Sequence, residues 1–205
     1  ENSMLLNAEK SELMNTCLNY KYSYSDDAVV ADALIQPNAF TKFLGIFIDD
    51  KLSFNKHIDT LVTKCNTRLF LMRKLKSIGL DNDGLRTFYL SNIRPIICYA
   101  SPAWFSLIGD TNCERLERLQ RLATKIILPE HDYEDRLGMV RIPYLSSFLF
   151  DDLYSHFIKI LNDEFHPLHS RLNFNSNRTS SRAKQVFRPN NAEPQRGLTA
   201  FSTIL

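Results

Sequence analysis

The residues closest to a recognisable chemical motif are two adjacent carboxylates, Asp49 and Asp50, in the sequence Phe47-Ile48-Asp49-Asp50. Clustered carboxylates can hold magnesium ions, which bridge phosphate oxygens and neutralise charge during phosphoryl transfer. Such a site also needs a further carboxylate on a strand well upstream, and fewer than fifty residues precede Asp49. We therefore interpret Asp49 and Asp50 as the end of a strand and the start of a turn.

Other groups that could do chemistry are weaker candidates. Asp26 and Asp27 form a second acidic pair, but they lie in a polar stretch without a supporting apolar strand. His166 and His169 are three residues apart with a proline between them, and no cysteine or carboxylate cluster adjoins them. His57 is expected to cap or pack against the start of a helix. The sequence contains neither a glycine-rich phosphate loop nor a nucleophile motif, so it gives no support for a hydrolase or a nucleotide cradle.

The best-defined element is a strand followed by a basic amphipathic helix. The apolar run Phe43–Ile48 is short, rich in aromatic and β-branched residues, and typical of a strand. Apolar residues then recur at steps of three and four from Ile58 to Leu75, which predicts a long helix. Its other side carries mainly cations, among them Lys64, Arg68, Arg73, Lys74 and Lys76.

Upstream of this unit we expect a helix, or the end of one, over residues 1–15. Residues 28–35 are expected to form a second strand, because Pro37-Asn38 follows as a turn signal. Pairing of this strand with Phe43–Ile48 would give a small antiparallel unit.

Downstream the pattern predicts further helices. One runs from Leu85 to about Ile97, capped by Asp81 or Asn82 and broken near Pro95. Another opens at a Thr111-x-x-Glu114 capping box and carries a basic face. Residues 130–143 read as a polar loop, and a fourth helix is predicted over residues 147–162. The cations of the capping-box helix are Arg115, Arg118, Arg121 and Lys125.

Charge is distributed unevenly along the 205 residues. The net charge of +2 combines −5 over residues 1–50 (three basic, eight acidic) with +7 over residues 51–128 (thirteen basic, six acidic). Concentration of cations on helices fits a phosphate backbone, although ordinary solvated faces give the same pattern. The four scattered cysteines predict reduced thiols rather than a disulfide framework or a zinc ribbon. No apolar run reaches membrane-spanning length and no signal-peptide pattern is present, so we expect an intracellular protein, nuclear or cytoplasmic and not secreted.

Three phrases taken in order, FLGIFIDDKLSFNKHI with its basic helix, RPIICYASPAW and RLERLQRLATKII, resemble the reverse transcriptases of non-LTR (LINE-type, jockey/CR1-like) retrotransposons. The resemblance runs from the N-terminus to about His169. It implies the segment after the catalytic palm motifs, so Phe47-Ile48-Asp49-Asp50 would lie beyond the catalytic box. The parent activity would be RNA-directed DNA polymerisation with magnesium, and this chain alone would bind no cofactor and be inactive.

The resemblance implies an α+β, mostly α fold in three parts. Residues 1–52 would be the end of the palm with a β-hairpin, residues 53–165 a thumb-like bundle of three to four helices, and residues 166–205 a loosely ordered polar tail. The implied partners are RNA–DNA or DNA duplexes, bound without sequence preference, and upstream reverse transcriptase segments. The resemblance assigns Lys64, Arg68, Arg73, Lys74 and Lys76 to the nucleic-acid face. Arg115, Arg118, Arg121 and Lys125 are a second, weaker candidate, since LERLQRLATKI could equally be an exposed helix surface or a partner contact. The alternative is a co-opted, non-catalytic helical protein-interaction module.

Overall fold

The computed structural model describes residues 7–16, 27–30 and 32–169. Two small antiparallel sheets precede a series of α-helices, which confirms the α+β, mostly α fold. The chain divides into two compact units, Glu1–Leu145 and Ser146–Leu205. Of the predicted tail, residues 170–205 lie outside the described residues, as do residues 1–6 of the predicted N-terminal helix and the Asp26 carboxylate.

The strands form two separate hairpins, so the predicted pairing of residues 28–35 with Phe43–Ile48 is wrong. Strand β1 (Ala28–Val30) pairs with β2 (Ala33–Ile35), and β3 (Phe40–Phe43) pairs with β4 (Ile46–Asp49). A two-residue turn, Leu44-Gly45, interrupts the strand predicted over Phe43–Ile48. Leu44 and Gly45 both have positive φ (46° and 87°), which is the conformation that a tight hairpin turn requires. The Leu-Gly pair is a weaker turn signal than Asn-Gly, and the apolar run concealed it.

The N-terminal helix is also wrong for the described residues. A single 3₁₀ turn covers Ala8–Lys10, and Leu13 then forms an isolated bridge with Pro37. The segment therefore lies beside the start of the β3–β4 hairpin instead of forming a helix.

Helix α1 (Asn55–Ser77) buries one face, as the periodicity predicted, and ends with Gly79 at a φ of 93°. Helix α2 (Asn82–Phe88) begins with the Asp81 side chain accepting a hydrogen bond from the Gly84 amide, which confirms that cap. The predicted break before Pro95 is a π-helical segment, Tyr89–Ile93, after which α3 (Arg94–Cys98) continues. Proline has no amide hydrogen to donate, and a π-helical segment accommodates this by a local change in the hydrogen-bond pattern of the helix.

Helix α4 (Asp110–Ile127) packs parallel to α1. Asn112 donates to the Asn55 side chain at 2.7 Å near the two N-termini, and Lys76 bonds the last carbonyls of α4 near the two C-termini. The capping-box prediction is wrong, because the helix begins one residue before Thr111 with Gly109 as N-cap and no side-chain cap.

The remaining helices of the described chain are α5 (Tyr133–Val140) and α6 (Leu145–Asn162). Helix α5 contradicts the loop predicted over residues 130–143, because Leu137 and Val140 are buried and give the segment a packed side. In the second unit, Phe157 of α6 is 38% exposed. The first unit has its core around the buried Trp104, Leu61, Leu69, Tyr89 and Leu119.

Candidate nucleic-acid interface

The carboxylate of Asp49 holds the turn between β4 and α1. Its Oδ1 accepts from the Ser53 amide at 2.9 Å and from the Lys51 amide at 3.2 Å. Its Oδ2 accepts from the Phe54 amide at 2.7 Å and from the Ser53 hydroxyl at 3.0 Å. Leu52 and Phe54 have positive φ, which is unfavourable for residues other than glycine, and the hydrogen bonds to Asp49 stabilise this conformation. Asp49 is thus the side chain that orients α1 relative to the hairpin.

These contacts give Asp49 a structural role in the turn. Partial burial raises the pKa of Asp49, but the hydrogen bonds from Ser53, Phe54 and Lys51 outweigh it and leave the pKa below its usual value. Both carboxylate oxygens already accept protein hydrogen bonds. Within the described ranges, no cluster of three or more histidine, cysteine or carboxylate groups could hold a metal ion.

The histidine positions have structural surroundings too. His57 is 2% exposed, and its ring meets Trp104 edge to face at 5.4 Å between centroids. In the described part of the chain neither ring nitrogen has a hydrogen-bond partner, and burial, with a smaller contribution from Lys64, lowers the pKa of His57. His166 accepts the Leu168 amide at 3.1 Å within a local turn. The prediction that His57 packs at the start of the helix is confirmed.

A basic stripe on α4 borders a surface groove of about 740 Å³. Arg118, Arg121 and Lys125 lie three, four and seven residues apart, so they share one side of the helix. The turn between α4 and α5, residues 129–132, also lines this groove and contributes Glu130, His131 and Asp132. The sequence-predicted cations of α4 are therefore brought together on one accessible surface.

The cations of this stripe are available for an anion. Among the described residues, neither Arg118 nor Lys125 makes a side-chain hydrogen bond or an ion pair, and both are exposed. The guanidinium of Arg121 lies over the Tyr133 ring, 5.0 Å from its centroid. Uncompensated cations along a groove are the arrangement that a phosphate backbone recognises.

Sequence reasoning missed a further guanidinium that lines the groove, that of Arg136. Arg136 is 6% exposed, lies 5.7 Å from the Tyr133 ring centroid, and has no partner for its Nε among the described residues. It lies in the segment interpreted as a loop, and the signal for it would have been the apolar spacing of Leu137 and Val140. Burial of an arginine without an ion pair is uncommon.

A hydrogen-bond network fixes the base of this surface. The Tyr89 hydroxyl donates to Gln120 Oε1 at 2.6 Å, and Gln120 Nε2 donates to the Pro143 carbonyl at 2.9 Å and to the Tyr133 hydroxyl at 3.2 Å. Tyr133 in turn donates to Glu117. Burial, and then the hydrogen bond to Glu117, raises the pKa of Tyr133, so the phenol stays neutral.

Two of the predicted cations have other partners. Lys76 donates to the carbonyls of Ile126 and Ile127, where a cation also complements the helix dipole of α4. Arg115 pairs with Asp59 of α1 at 2.6 Å and donates to Asn112 at 3.0 Å. Both side chains therefore join α1 to α4.

The four other α1 cations do not form one face. Lys64 and Arg68 are a turn apart, whereas Arg73 and Lys74 are rotated from Arg68 by about 140° and 240° at 3.6 residues per turn. All four are exposed, and Lys74 lies 5.7 Å from the Phe70 ring centroid. The structure thus makes the α4 groove, not α1, the more concentrated cationic surface.

The chain is similar to a protein of Drosophila melanogaster described as "Probable RNA-directed DNA polymerase from transposon X-element", with 24% identity over 198 residues. The match covers 93% of this chain and 20% of that protein, so the chain spans about a fifth of its length. No protein-family model matches, and no solved structure matches. This distant match supports the relation to transposon-encoded reverse transcriptases that the motifs indicated. In the described part of the chain, no helix has the length and hydropathy needed to cross a membrane.

Proposed function

We propose that this chain is a nucleic-acid-binding part of a non-LTR retrotransposon reverse transcriptase, and that it binds through the basic stripe Arg118, Arg121 and Lys125 on α4. The observation that carries the proposal is that these three cations share one side of a groove and lack ion-pair partners in the described chain. Binding of this kind is electrostatic, independent of base sequence and weakened by salt.

The position of the segment within its parent enzyme is part of this proposal. The chain would follow the catalytic palm motifs, with residues 53–165 acting as the thumb-like region that holds primer and template in a nuclear or cytoplasmic enzyme. Support comes from the match to a fifth of a polymerase and from the structural role of Asp49. Lys64 and Arg68 are available as a second, smaller phosphate contact.

We expect no polymerase activity from this chain alone, since magnesium would be bound by carboxylates elsewhere in the parent enzyme. Nucleotide incorporation from a labelled primer on an RNA template tests this directly. Magnesium-dependent extension that disappears in the Asp49→Ala, Asp50→Ala double variant would overturn it.

The binding proposal is tested with a partial duplex, an RNA–DNA hybrid carrying an unpaired overhang. Replacing Arg118, Arg121 and Lys125 by glutamine should weaken binding at least tenfold at low salt, because each phosphate contact contributes to counterion release. A matched control replaces the exposed Lys10, Lys51 and Lys159 by glutamine, which changes net charge equally. Equal loss in both variants would show that only overall charge matters.

The second candidate function is a helical protein-interaction module. It is favoured by exposed apolar side chains, since Val29 and Leu34 lie directly opposite each other in the β1–β2 hairpin and are 68% and 62% exposed. Sedimentation of the purified chain decides between the candidates. Self-association that Val29→Ser with Leu34→Ser abolishes, without nucleic-acid binding, would favour this function.

A further inference from the structure

The lining of the groove carries both signs of charge. Arg118, Arg121 and Lys125 line it from α4, Glu130 and Asp132 line it from the turn after α4, and Arg136 lines it from α5. Glu114 is the one acidic residue of α4 among the lining residues, one turn before Arg118. A ligand that carries negative charge along one edge and hydrogen-bond donors along the other would match this asymmetry.

A double helix does not match it. Glu130 and Asp132 line the same groove as the α4 cations, so the phosphates of a second strand placed in it would meet carboxylates. A groove of about 740 Å³ has the volume of a small-molecule cleft. That volume suits a short length of one strand better than the two strands of a duplex.

We propose that the groove holds an unpaired nucleic-acid strand, with its phosphates along α4 and its base edges facing Glu130 and Asp132. Carboxylates accept hydrogen bonds from exocyclic amino groups of bases, as they do from cytosine N4. This inference rests on the proposed nucleic-acid binding and specifies that the groove binds single-stranded nucleic acid.

Arg136 supplies an independent observation. Arg136 is 6% exposed and lies beside Tyr133, and its Nε lacks a partner in the described chain. Arg121 approaches the same ring, so two guanidinium groups lie beside Tyr133. Arginine there is positioned as a fixed phosphate anchor, which a mobile surface lysine would not be.

Fluorescence anisotropy with an unstructured labelled single strand and the blunt duplex of the same sequence tests the inference at one salt concentration. We expect the single strand to bind about tenfold more tightly, a difference of about 1.4 kcal/mol. Arg121→Ala with Lys125→Ala should remove this preference. Glu130→Gln with Asp132→Asn should reduce the preference for the single strand by strengthening duplex binding. The Asp132 side chain makes no capping hydrogen bond to α5, so this variant should leave the start of α5 intact.

The outcomes separate this inference from the proposed function. Equal affinity for both probes, lost in the Arg121, Lys125 variant, would leave nucleic-acid binding standing and overturn the single-strand assignment. A preference that survives this variant would overturn it as well, because the preference would arise elsewhere. Absence of binding to either probe would refute the proposed function itself. Circular dichroism of each variant checks that it is folded.

Discussion

Replacement of Asp49 by alanine tests whether this carboxylate is structural or catalytic. The change removes four hydrogen bonds at once, three from backbone amides and one from the Ser53 hydroxyl. The amides of Ser53 and Phe54 are partly buried, so water replaces the lost acceptor poorly. The Lys51 amide is exposed and can hydrogen-bond to solvent at little cost.

The expected loss in the free energy of unfolding follows from these contacts. Loss of a helix-capping side chain costs about 0.5–2 kcal/mol, and each buried donor left without a partner costs about 1–3 kcal/mol. Because the two amides are only partly buried, values at the lower end apply, and we expect Asp49→Ala to lower the free energy of unfolding by about 2–3 kcal/mol. Asp49→Asn keeps one acceptor oxygen but points an amide donor at Phe54, so its cost should be about half as large.

Urea denaturation followed by far-UV circular dichroism measures these differences. Asp50→Ala is the matched control, since it removes the neighbouring carboxylate, and it should change the unfolding free energy by less than about 0.5 kcal/mol. Wild-type stability should also fall as the pH drops below about 3.8, because the unfolded carboxylate then binds a proton that the folded one releases. If Asp49→Ala is as harmless as Asp50→Ala, the structural assignment is refuted.

Three further predictions concern buried or bridging side chains. Below pH 6.5 the His57 imidazole of the unfolded chain binds a proton, whereas the folded chain, in which the pKa of His57 is lowered, does not. The free energy of unfolding should therefore decline with falling pH, by at most about 1.4 kcal/mol per pH unit. Urea midpoints measured across pH should show this dependence in the wild type and not in His57→Phe. Gln120→Leu leaves the buried Tyr89 hydroxyl without its acceptor and should cost about 2–4 kcal/mol by urea denaturation, whereas a loss below about 0.5 kcal/mol would mean that water or rearrangement replaces the network. Lys76→Met should lower the free energy of unfolding by about 1 kcal/mol, because the Lys76 ammonium donates hydrogen bonds to the end of α4. Nucleic-acid affinity should stay within about twofold. A tenfold loss of affinity without loss of stability would instead make Lys76 a phosphate contact.

The helices were largely predictable because their signals are local. The spacing of Ile58, Leu61, Cys65 and Leu69 fixes both the existence of α1 and its buried face. Gly79, with its positive φ, marks the end of α1, and Asp81, as an N-cap, marks the beginning of α2. Both residue types are typical of these positions and can be recognised in the sequence. These features need no knowledge of distant residues.

The hairpins and the distribution of cations depended on information that is not local. Leu44 and Gly45 adopt a turn that a continuous apolar run conceals, and Tyr99 donates to the Leu44 carbonyl from fifty-five residues away. Likewise, nothing near Lys76 in the sequence shows that it meets the end of α4. The groove depends on a turn and a short helix whose only apolar signal is Leu137 with Val140.

The salt dependence of binding tests whether the α4 groove binds a nucleic-acid backbone. The observed association constant for the overhang probe is measured across a salt series for the wild type and for the variant with glutamine at Arg118, Arg121 and Lys125. If the three cations each contact a phosphate, the slope of log affinity against log salt should become shallower by about 2–3, at 0.7–0.9 per contact. An unchanged slope would mean that the three cations contact no phosphate and are solvated surface residues.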